Sequence, residues 1–250
     1  MTSAVVSKSE PRSRPAQRGT GGAAALVAAG ILASRLLGVV RQSLMARYLG
    51  ATTGIAADAF MAAFKIPNLL QNLFGEGALS ASFIPVYANL LARDEREEAR
   101  RVAGAVAAIL GLVTSLLVVG GVLLAPYLIP LIAPGFTGAK RDLTITLTRV
   151  LFPGAGLFVM GAWCQGVLNS HRRFFLAYSA NVLWNLAMIV ALLGYGGRQD
   201  RVTLAVTLGW ASVVGSALLV LAQLPTVLRL APGWTPASVL AGARPGTGRP

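Results

Sequence analysis

The sequence is poor in charged residues and has almost none of the side chains that build metal centres or disulfides. Charged residues make up 12% of the 250 residues, whereas hydrophobic residues make up 55%. Soluble domains carry roughly 25% charged residues, so the composition indicates a membrane protein. The single cysteine, Cys164, excludes an intrachain disulfide. The single histidine, His171, stands in a short loop beside Arg172 and Arg173.

Chemical motifs are missing as well. We find no nucleophile–base pair, no metal-ligand cluster and no nucleotide-binding loop, so we expect no enzymatic activity, no cofactor and no metal ion. Segments of about ten alternating residues, which would indicate a membrane β-barrel, do not occur. The net charge of +13 would suggest nucleic acid in a soluble protein. Here the charge lies mainly in loops and tails, and we expect no nucleic-acid partner.

Long apolar stretches are what the sequence has in abundance. Four uncharged windows each exceed the ~18–20 residues that cross the hydrocarbon core as a helix, and spanning segments in lipid must pair their backbone groups internally. We therefore predict an all-α, polytopic membrane helix bundle with a six-helix lobe over 21–229. A disordered basic tail is predicted for 1–20 and a Pro/Gly-rich tail or truncated linker for 230–250. The predicted spans are 22–48, 58–90, 99–126, 143–169, 175–195 and 202–228.

Basic residues between the spans predict the orientation. With the N-terminus inside, thirteen lysines and arginines fall in inner loops and tails and four in outer loops. This bias predicts that both termini are cytoplasmic. The apolar run that begins near Gly21 continues past Ser34, so we expect a retained helix and not a cleaved signal peptide. The four outer residues are Lys140, Arg141, Arg198 and Arg201.

Charged residues inside the spans are concentrated at the N-terminal end of the chain. Arg35 lies about 20 Å along the first helix at 1.5 Å per residue, too deep to reach the interface, and it needs a partner or water. Arg47 lies near the outer end, where it can snorkel to the interface. Ser34, Gly38 and Arg41 share one face of that helix. Apart from Arg100 and Arg101, which open the third span and are counted with the inner loop, seven charged residues lie within spans. The seventh is Arg149, and the other six fall in the first two spans: Arg35, Arg41, Arg47, Asp58, Lys65 and Glu76.

The second span carries a polar stripe at helical spacing. The separations of seven and four residues align Asp58, Lys65, Asn72, Glu76 and Ser80 on one face, with Pro67 inside the stripe as a source of distortion. One interpretation is structural, with Arg35 paired to Glu76 or Asp58 and the network fastening the first two helices. The other is a water-accessible cavity for an anion. An excess of about two positive charges in the two spans favours a strongly charged anion such as phosphate.

Three stretches resemble a known family: "SRLLGVVRQSLMARYLGA", "DAFMAAFKIPNLLQNLFGEGALSASFIPVYA" and "APGF". They are similar to the MviN/MurJ-like lipid II flippases, within the superfamily of multidrug, oligosaccharidyl-lipid and polysaccharide exporters. The resemblance runs from about residue 21 to residue 230. It implies a protein of the bacterial inner membrane that moves an undecaprenyl-diphosphate-linked peptidoglycan precursor outward through a cavity between two lobes.

The resemblance also implies roles for particular residues. Family members have about fourteen helices, so the six helices of this chain match the N-terminal lobe only. The implied partners are lipid II or a related anionic lipid-linked substrate, membrane lipid, and a second lobe or copy. Many relatives carry charges where this chain has Gln42, Gln71 and Asn72. The alternatives are an exporter of another lipid-linked oligosaccharide or amphipathic solute, and a non-transporting six-helix scaffold. The predicted substrate-binding residues are Ser34, Arg35, Arg41, Asp58, Lys65 and Glu76.

Overall fold

The protein is a bundle of long helices. The computed structural model describes residues 20–50 and 54–230, with only the backbone described at 20–27, 75, 76 and 78. Within those ranges every regular element is helical, which confirms the all-α prediction. The elements are α1 (Thr20–Leu49), α2 (Ile55–Gln71), a π-helical segment (Asn72–Phe83), α3 (Ile84–Ala92), α4 (Arg96–Ile132), α5 (Gly138–Ser170), α6 (Phe174–Tyr195) and α7 (Arg201–Leu230).

These elements form six rods, one for each predicted span. The rods are α1, the continuous run from α2 to α3, and α4 to α7 individually. Each matches its predicted bounds or extends beyond them by one to six residues at an end. By length and composition, α4, α5, α6 and α7 could cross a membrane. The predicted tails 1–20 and 230–250 lie outside the described residues apart from Thr20 and Leu230.

Helix α5 is the centre of the bundle. It packs against α2, α4 and α7, while α7 also packs on α6, and α1 packs mainly on α6. One apolar cluster, which includes Leu49, Phe60 and Leu208, lies toward the α1–α2 turn. A second, which includes Tyr87 and Trp163, lies toward the α3–α4 turn. We call these the α1–α2 end and the α3–α4 end of the lobe.

The rod from α2 to α3 departs from the predicted regular α-helix. Its middle part, Asn72–Phe83, is π-helical, with i→i+5 hydrogen bonds and more residues per turn than an α-helix. The alignment of Asn72, Glu76 and Ser80 assumed α-helical spacing and therefore does not hold beyond Asn72. Pro67 lies inside α2 without ending it, so the distortion begins later than the sequence suggested.

Candidate functional site

Arg41 is the deep arginine whose surroundings are best defined. Its guanidinium carbon lies 4.5 Å from the ring centroid of Trp184 on α6. The residue is half-buried, and its Nε is buried without a hydrogen-bond partner among the described residues. Stacking on an aromatic face stabilises a cation without using its N–H donors. The arrangement fixes the plane of the guanidinium and leaves its donors for another ligand.

Trp184 is itself held in place from three sides. Its Nε1 donates to Ser212 Oγ at 3.1 Å. Its ring contacts Phe64 and Phe158, with centroids 6.2 and 5.5 Å away. Behind it stands Gly215, where an added Cβ would lie 2.8 Å from Trp184 Cδ1 and 3.0 Å from its Cα. Helices α2, α5, α6 and α7 therefore all contribute to the position of the surface under Arg41.

Arg35 and Ser34 lie on a part of α1 that has little packing. Arg35 is exposed and Ser34 is half-buried, and no described residue from 28 to 44 is buried. The first buried residues of α1 are Met45 and Leu49. The half of α1 that carries Ser34 and Arg35 is therefore held to the lobe mainly through the half that follows it.

Asp58 pairs with a residue that was expected in a loop. Lys140, in the first turn of α5, places its Nζ 2.5 Å from Asp58 Oδ2 and 4.1 Å from the ring centroid of Phe136. The suggested pairing of Arg35 with Asp58 is thus not the one observed. The pair joins α2 to α5 at the α1–α2 end of the lobe.

The other two predicted site residues, Lys65 and Glu76, belong to the second rod. Lys65 and Asn72 are exposed, and the Glu76 side chain lies outside the described part of the structure. No hydrogen bond or ion pair joins two of the six predicted residues among the side chains described. Their convergence on one cavity stays a prediction.

A narrow crevice opens beside Phe64 and Phe158, which also contact Trp184. Asn68, Gln71 and Ser212 supply its polar lining, and its volume is about 10 Å³. That volume accommodates about one water molecule. The crevice joins the polar side of α2 to the aromatic surface under Arg41. Trp184 and Phe158 were not among the predicted site residues. The sequence feature that could have indicated Trp184 is a tryptophan inside an uncharged span.

Arg149 has a structural explanation that sets it apart from Arg35 and Arg41. Pro126 of α4 has no N–H to donate to the carbonyl of Val122, and Arg149 Nε donates to that carbonyl at 3.2 Å. The same relation recurs one turn further along α4. Pro130 leaves the Pro126 carbonyl without its helical donor, and Arg141 lies 3.4 Å from it. Two arginines of α5 thus compensate for two prolines of α4.

Within the described ranges, no group of three or more histidine, cysteine, aspartate or glutamate residues is placed to hold a metal ion.

Comparison with known proteins gives consistent similarities. Residues 45–243 match a family model described as lipid II flippase MurJ. The chain is 40% identical over 192 residues to a "Probable lipid II flippase MurJ" of Rhizobium tropici, covering 75% of this chain and 36% of that protein. It is 34% identical over 196 residues to a "Lipid II flippase MurJ" of Burkholderia cenocepacia, covering 78% and 37%.

A solved structure shares the fold. It shows "Lipid II flippase MurJ, inward closed conformation", and it matches with a TM-score of 0.62 and 24% identity over 82% of this chain and 46% of that one. The chain therefore spans less than half the length of the relatives that it matches.

Proposed function

From the premise that this chain belongs to the MurJ lipid II flippase family, we propose that its six helices form one lobe of a lipid II transporter. In this proposal Arg41 and Arg35 bind the diphosphate of the undecaprenyl-linked precursor. The lobe lies in the bacterial cytoplasmic membrane with both termini in the cytoplasm. A second lobe, or a second copy, completes the path.

The single observation that carries the proposal is the state of Arg41. A half-buried guanidinium stacked on Trp184, with its Nε unsatisfied among the described residues, is costly within a membrane unless a ligand completes its hydrogen bonds. Phosphate oxygens suit this need, because a guanidinium presents several N–H donors in a rigid plane. Trp184 fixes that plane before the ligand arrives, which reduces the entropy lost on binding.

Arg35 is proposed as the second contact. It stands six residues before Arg41, about 9 Å along the helix at 1.5 Å per residue, and it is exposed. No ion pair engages it among the described side chains. Ser34 beside it adds a hydroxyl, and Gly38 between the two arginines has open space within 4 Å of an added Cβ. A bulky headgroup can therefore approach the backbone of α1 closely.

Asp58, Lys65 and Glu76 take a secondary part in the proposal. Lys65 adds positive charge on the facing rod, and Glu76 limits the total charge so that the substrate can be released. Asp58 is engaged by Lys140 at 2.5 Å, so we assign it to the α1–α2 end of the path. Breaking that pair would free a carboxylate and an ammonium at this end.

The test is direct binding of purified lipid II to the chain in detergent micelles, measured by native mass spectrometry. A charge-assisted hydrogen bond contributes roughly 1.5–3 kcal/mol, so Arg41→Ala should weaken binding by roughly 10- to 150-fold. Arg41→Lys should recover part of this loss, because lysine is a point charge. The matched control is Arg47→Ala, since Arg47 is exposed near the end of α1 and should change affinity little.

Unchanged affinity in an Arg35→Ala/Arg41→Ala double variant would contradict the diphosphate assignment. If that variant instead lost thermal stability, fastening of α1 to α6 would be the preferred role. Competition by undecaprenyl diphosphate that lacks sugars separates diphosphate recognition from sugar recognition. Full competition would support the role given to the arginines, and absence of competition would assign recognition of lipid II to its sugar or peptide part.

A further inference from the structure

A second cluster of arginines surrounds a cavity at the α3–α4 end of the lobe, far along the helices from the α1–α2 turn. The cavity has a volume of about 700 Å³. Four arginines line it, from the start of α4, the α5–α6 turn and the end of α7: Arg96, Arg100, Arg172 and Arg229. The described residues that line it include no carboxylate.

The cluster is only partly neutralised from outside the cavity. Arg96 Nε lies 2.7 Å from Asp94 Oδ1, and Arg100 is paired with Glu97. Arg172 and Arg229 form no ion pair with any described side chain. Two carboxylates against four guanidinium groups leave an excess of about two positive charges around one opening.

The walls combine this charge with apolar surface. Leu91, Ala99 and Leu230 line the cavity beside the arginines. Tyr87 also lines it; its hydroxyl lies 3.0 Å from His171 Nε2 and its side chain is almost fully buried. Basic pockets between membrane helices, at the level of the interface, suit the phosphate groups of lipids.

The turn that carries Arg172 has an unusual residue choice. Arg173 N donates to Leu168 O at 2.8 Å and Arg172 N donates to Asn169 O at 3.0 Å, which is a Schellman motif with Arg172 at the left-handed position. Arg172 has φ +59°, a conformation that favours glycine. Arginine is therefore less favourable than glycine for this turn. We attribute its presence to its side chain, which lines the cavity.

The α3–α4 turn supplies a matched case. Glu95 N donates to Leu90 O at 3.0 Å and Asp94 N donates to Leu91 O at 3.2 Å, and Asp94 also has φ +59°. It is the same motif with an acid at the left-handed position, and Asp94 does not line the cavity. The two turns therefore allow the backbone effect of a substitution to be separated from its charge effect.

We infer that this cavity binds the phosphate group of a lipid headgroup at the membrane interface, with Arg172 and Arg229 as its principal ligands. The site is distinct from the one proposed on α1, and it goes beyond that proposed function. Two sources share the required chemistry: the phosphodiester of an anionic phospholipid and the diphosphate of a lipid-linked precursor.

The test uses two probes on the full chain in detergent micelles. One is phosphatidylglycerol, compared with phosphatidylcholine as retained lipid in native mass spectrometry, and the other is inorganic diphosphate, followed by calorimetry. Arg172→Gly should weaken binding by about tenfold or more, in line with the loss of a charge-assisted bond, and should leave the melting temperature equal or higher because glycine suits the turn. Asp94→Gly, the matched control, should not weaken binding.

The two probes identify the source. Loss of phosphatidylglycerol alone in Arg172→Gly indicates a phospholipid site, and loss of diphosphate binding indicates a site for the precursor headgroup; either result supports the inference. Equal binding of both probes by Arg172→Gly and the wild type would overturn it. Equal retention of phosphatidylcholine and phosphatidylglycerol by the wild type would overturn it too, as would an equal loss in Asp94→Gly. Arg41→Ala should leave this binding unchanged, so the two proposals can fail separately.

Discussion

Helices α5 to α7 differ from the first half of α1 in the burial and hydrogen bonding of their polar side chains. In α5, Thr144 donates to Lys140 O and Thr148 to Thr144 O, both at 2.7 Å, and both threonines are fully buried. In α1, no described residue from 28 to 44 is buried, and Arg35 is exposed there. The two threonines satisfy their hydroxyls within α5, although Asn169 Oδ1 and Gln223 Oε1 are buried without a partner among the described residues. The exposed polar groups of α1 remain available to something outside the lobe.

The largest effect should come from adding a methyl group to the packed region. At Gly215 an added Cβ would lie 3.0 Å from the Cα of Trp184 and 3.1 Å from Ala187 Cβ, so α6 and α7 would have to separate. Small residues permit such close helix contacts in membranes. We expect Gly215→Ala to lower the free energy of unfolding by about 1–3 kcal/mol, measured by denaturant unfolding in mixed micelles.

Gly38 provides the control on α1. Nothing lies within 4 Å of an added Cβ there, and alanine is more favourable than glycine in a helix by about 0.8–1.0 kcal/mol. Gly38→Ala should leave stability unchanged or raise it slightly. A loss as large as that of Gly215→Ala would mean that α1 is packed as tightly as α6 against α7. The contrast between α1 and the packed region would then be wrong.

The next effect concerns Arg149, which is exposed on the surface of α5. Arg149→Ala would leave the Val122 carbonyl without the 3.2 Å hydrogen bond that replaces the donor missing at Pro126. The bond lies on the outer surface of the bundle, where lipid offers no replacement donor. An acceptor left unsatisfied costs about 1–3 kcal/mol, and we expect a loss of unfolding free energy in this range.

Pro126→Ala makes this prediction specific. Alanine restores an N–H that can donate to Val122 O within α4, so Arg149→Ala should be less destabilising in that background. The double-mutant cycle should therefore show a coupling energy of about 0.5–3 kcal/mol. Additive losses would show that Arg149 acts through something other than the carbonyl freed by the proline.

Much of the fold could be predicted from local sequence, because a helix in a membrane is specified by an uncharged run of sufficient length. The bounds of the span 175–195 were placed to within one residue for this reason, whereas α4 extends beyond the predicted 99–126 at both ends. The π-helical segment could not be predicted, because α- and π-helices have the same composition and differ only in hydrogen-bond register. The polar stripe was consequently extended past Asn72, where its spacing no longer applies.

The site depended on contacts between residues distant in the chain. The depth argument from sequence was made for Arg35, and the contact of Arg41 with Trp184 depends on α1 packing against α6, which no periodicity reveals. The pairing of Asp58 with Lys140 and the compensation of Pro126 by Arg149 arise in the same way. The arginines of the cavity come from three segments that are far apart in the chain. From the sequence alone they were therefore counted as separate loop charges and not as one site.

A smaller effect should appear as a pH dependence at the α3–α4 end. Burial, together with the positive charges of Arg173 and Arg96, lowers the pKa of His171 below its ordinary value of 6.5. The unfolded chain then binds a proton more readily than the folded one, so the free energy of unfolding should fall as the pH drops from about 6.5 toward the folded-state pKa.

His171→Gln should reduce the slope of stability against pH below about 6.5, without diphosphate present. The titratable and charged groups around His171 are Tyr87, Arg96, Arg100, Arg172, Arg173 and Arg229. A slope that is unchanged in His171→Gln would assign the pH dependence to other groups. Because a bound phosphate group would favour the protonated histidine, adding diphosphate should weaken the dependence in the wild type.

The smallest effect on stability should be that of Arg35→Ala. Arg35 is exposed on the loosely packed half of α1, and substitutions away from packed or hydrogen-bonded features usually change stability by less than about 0.5 kcal/mol. We expect a change within that limit together with a clear loss of lipid II affinity, measured on the same preparation. Arg149→Ala should show the reverse: lower stability, and affinity unchanged in the protein that remains folded. If both variants lost stability and neither lost affinity, the arginines of α1 would have a structural role like that of Arg149. The proposed division of the lobe into a packed support and a binding helix would then be wrong.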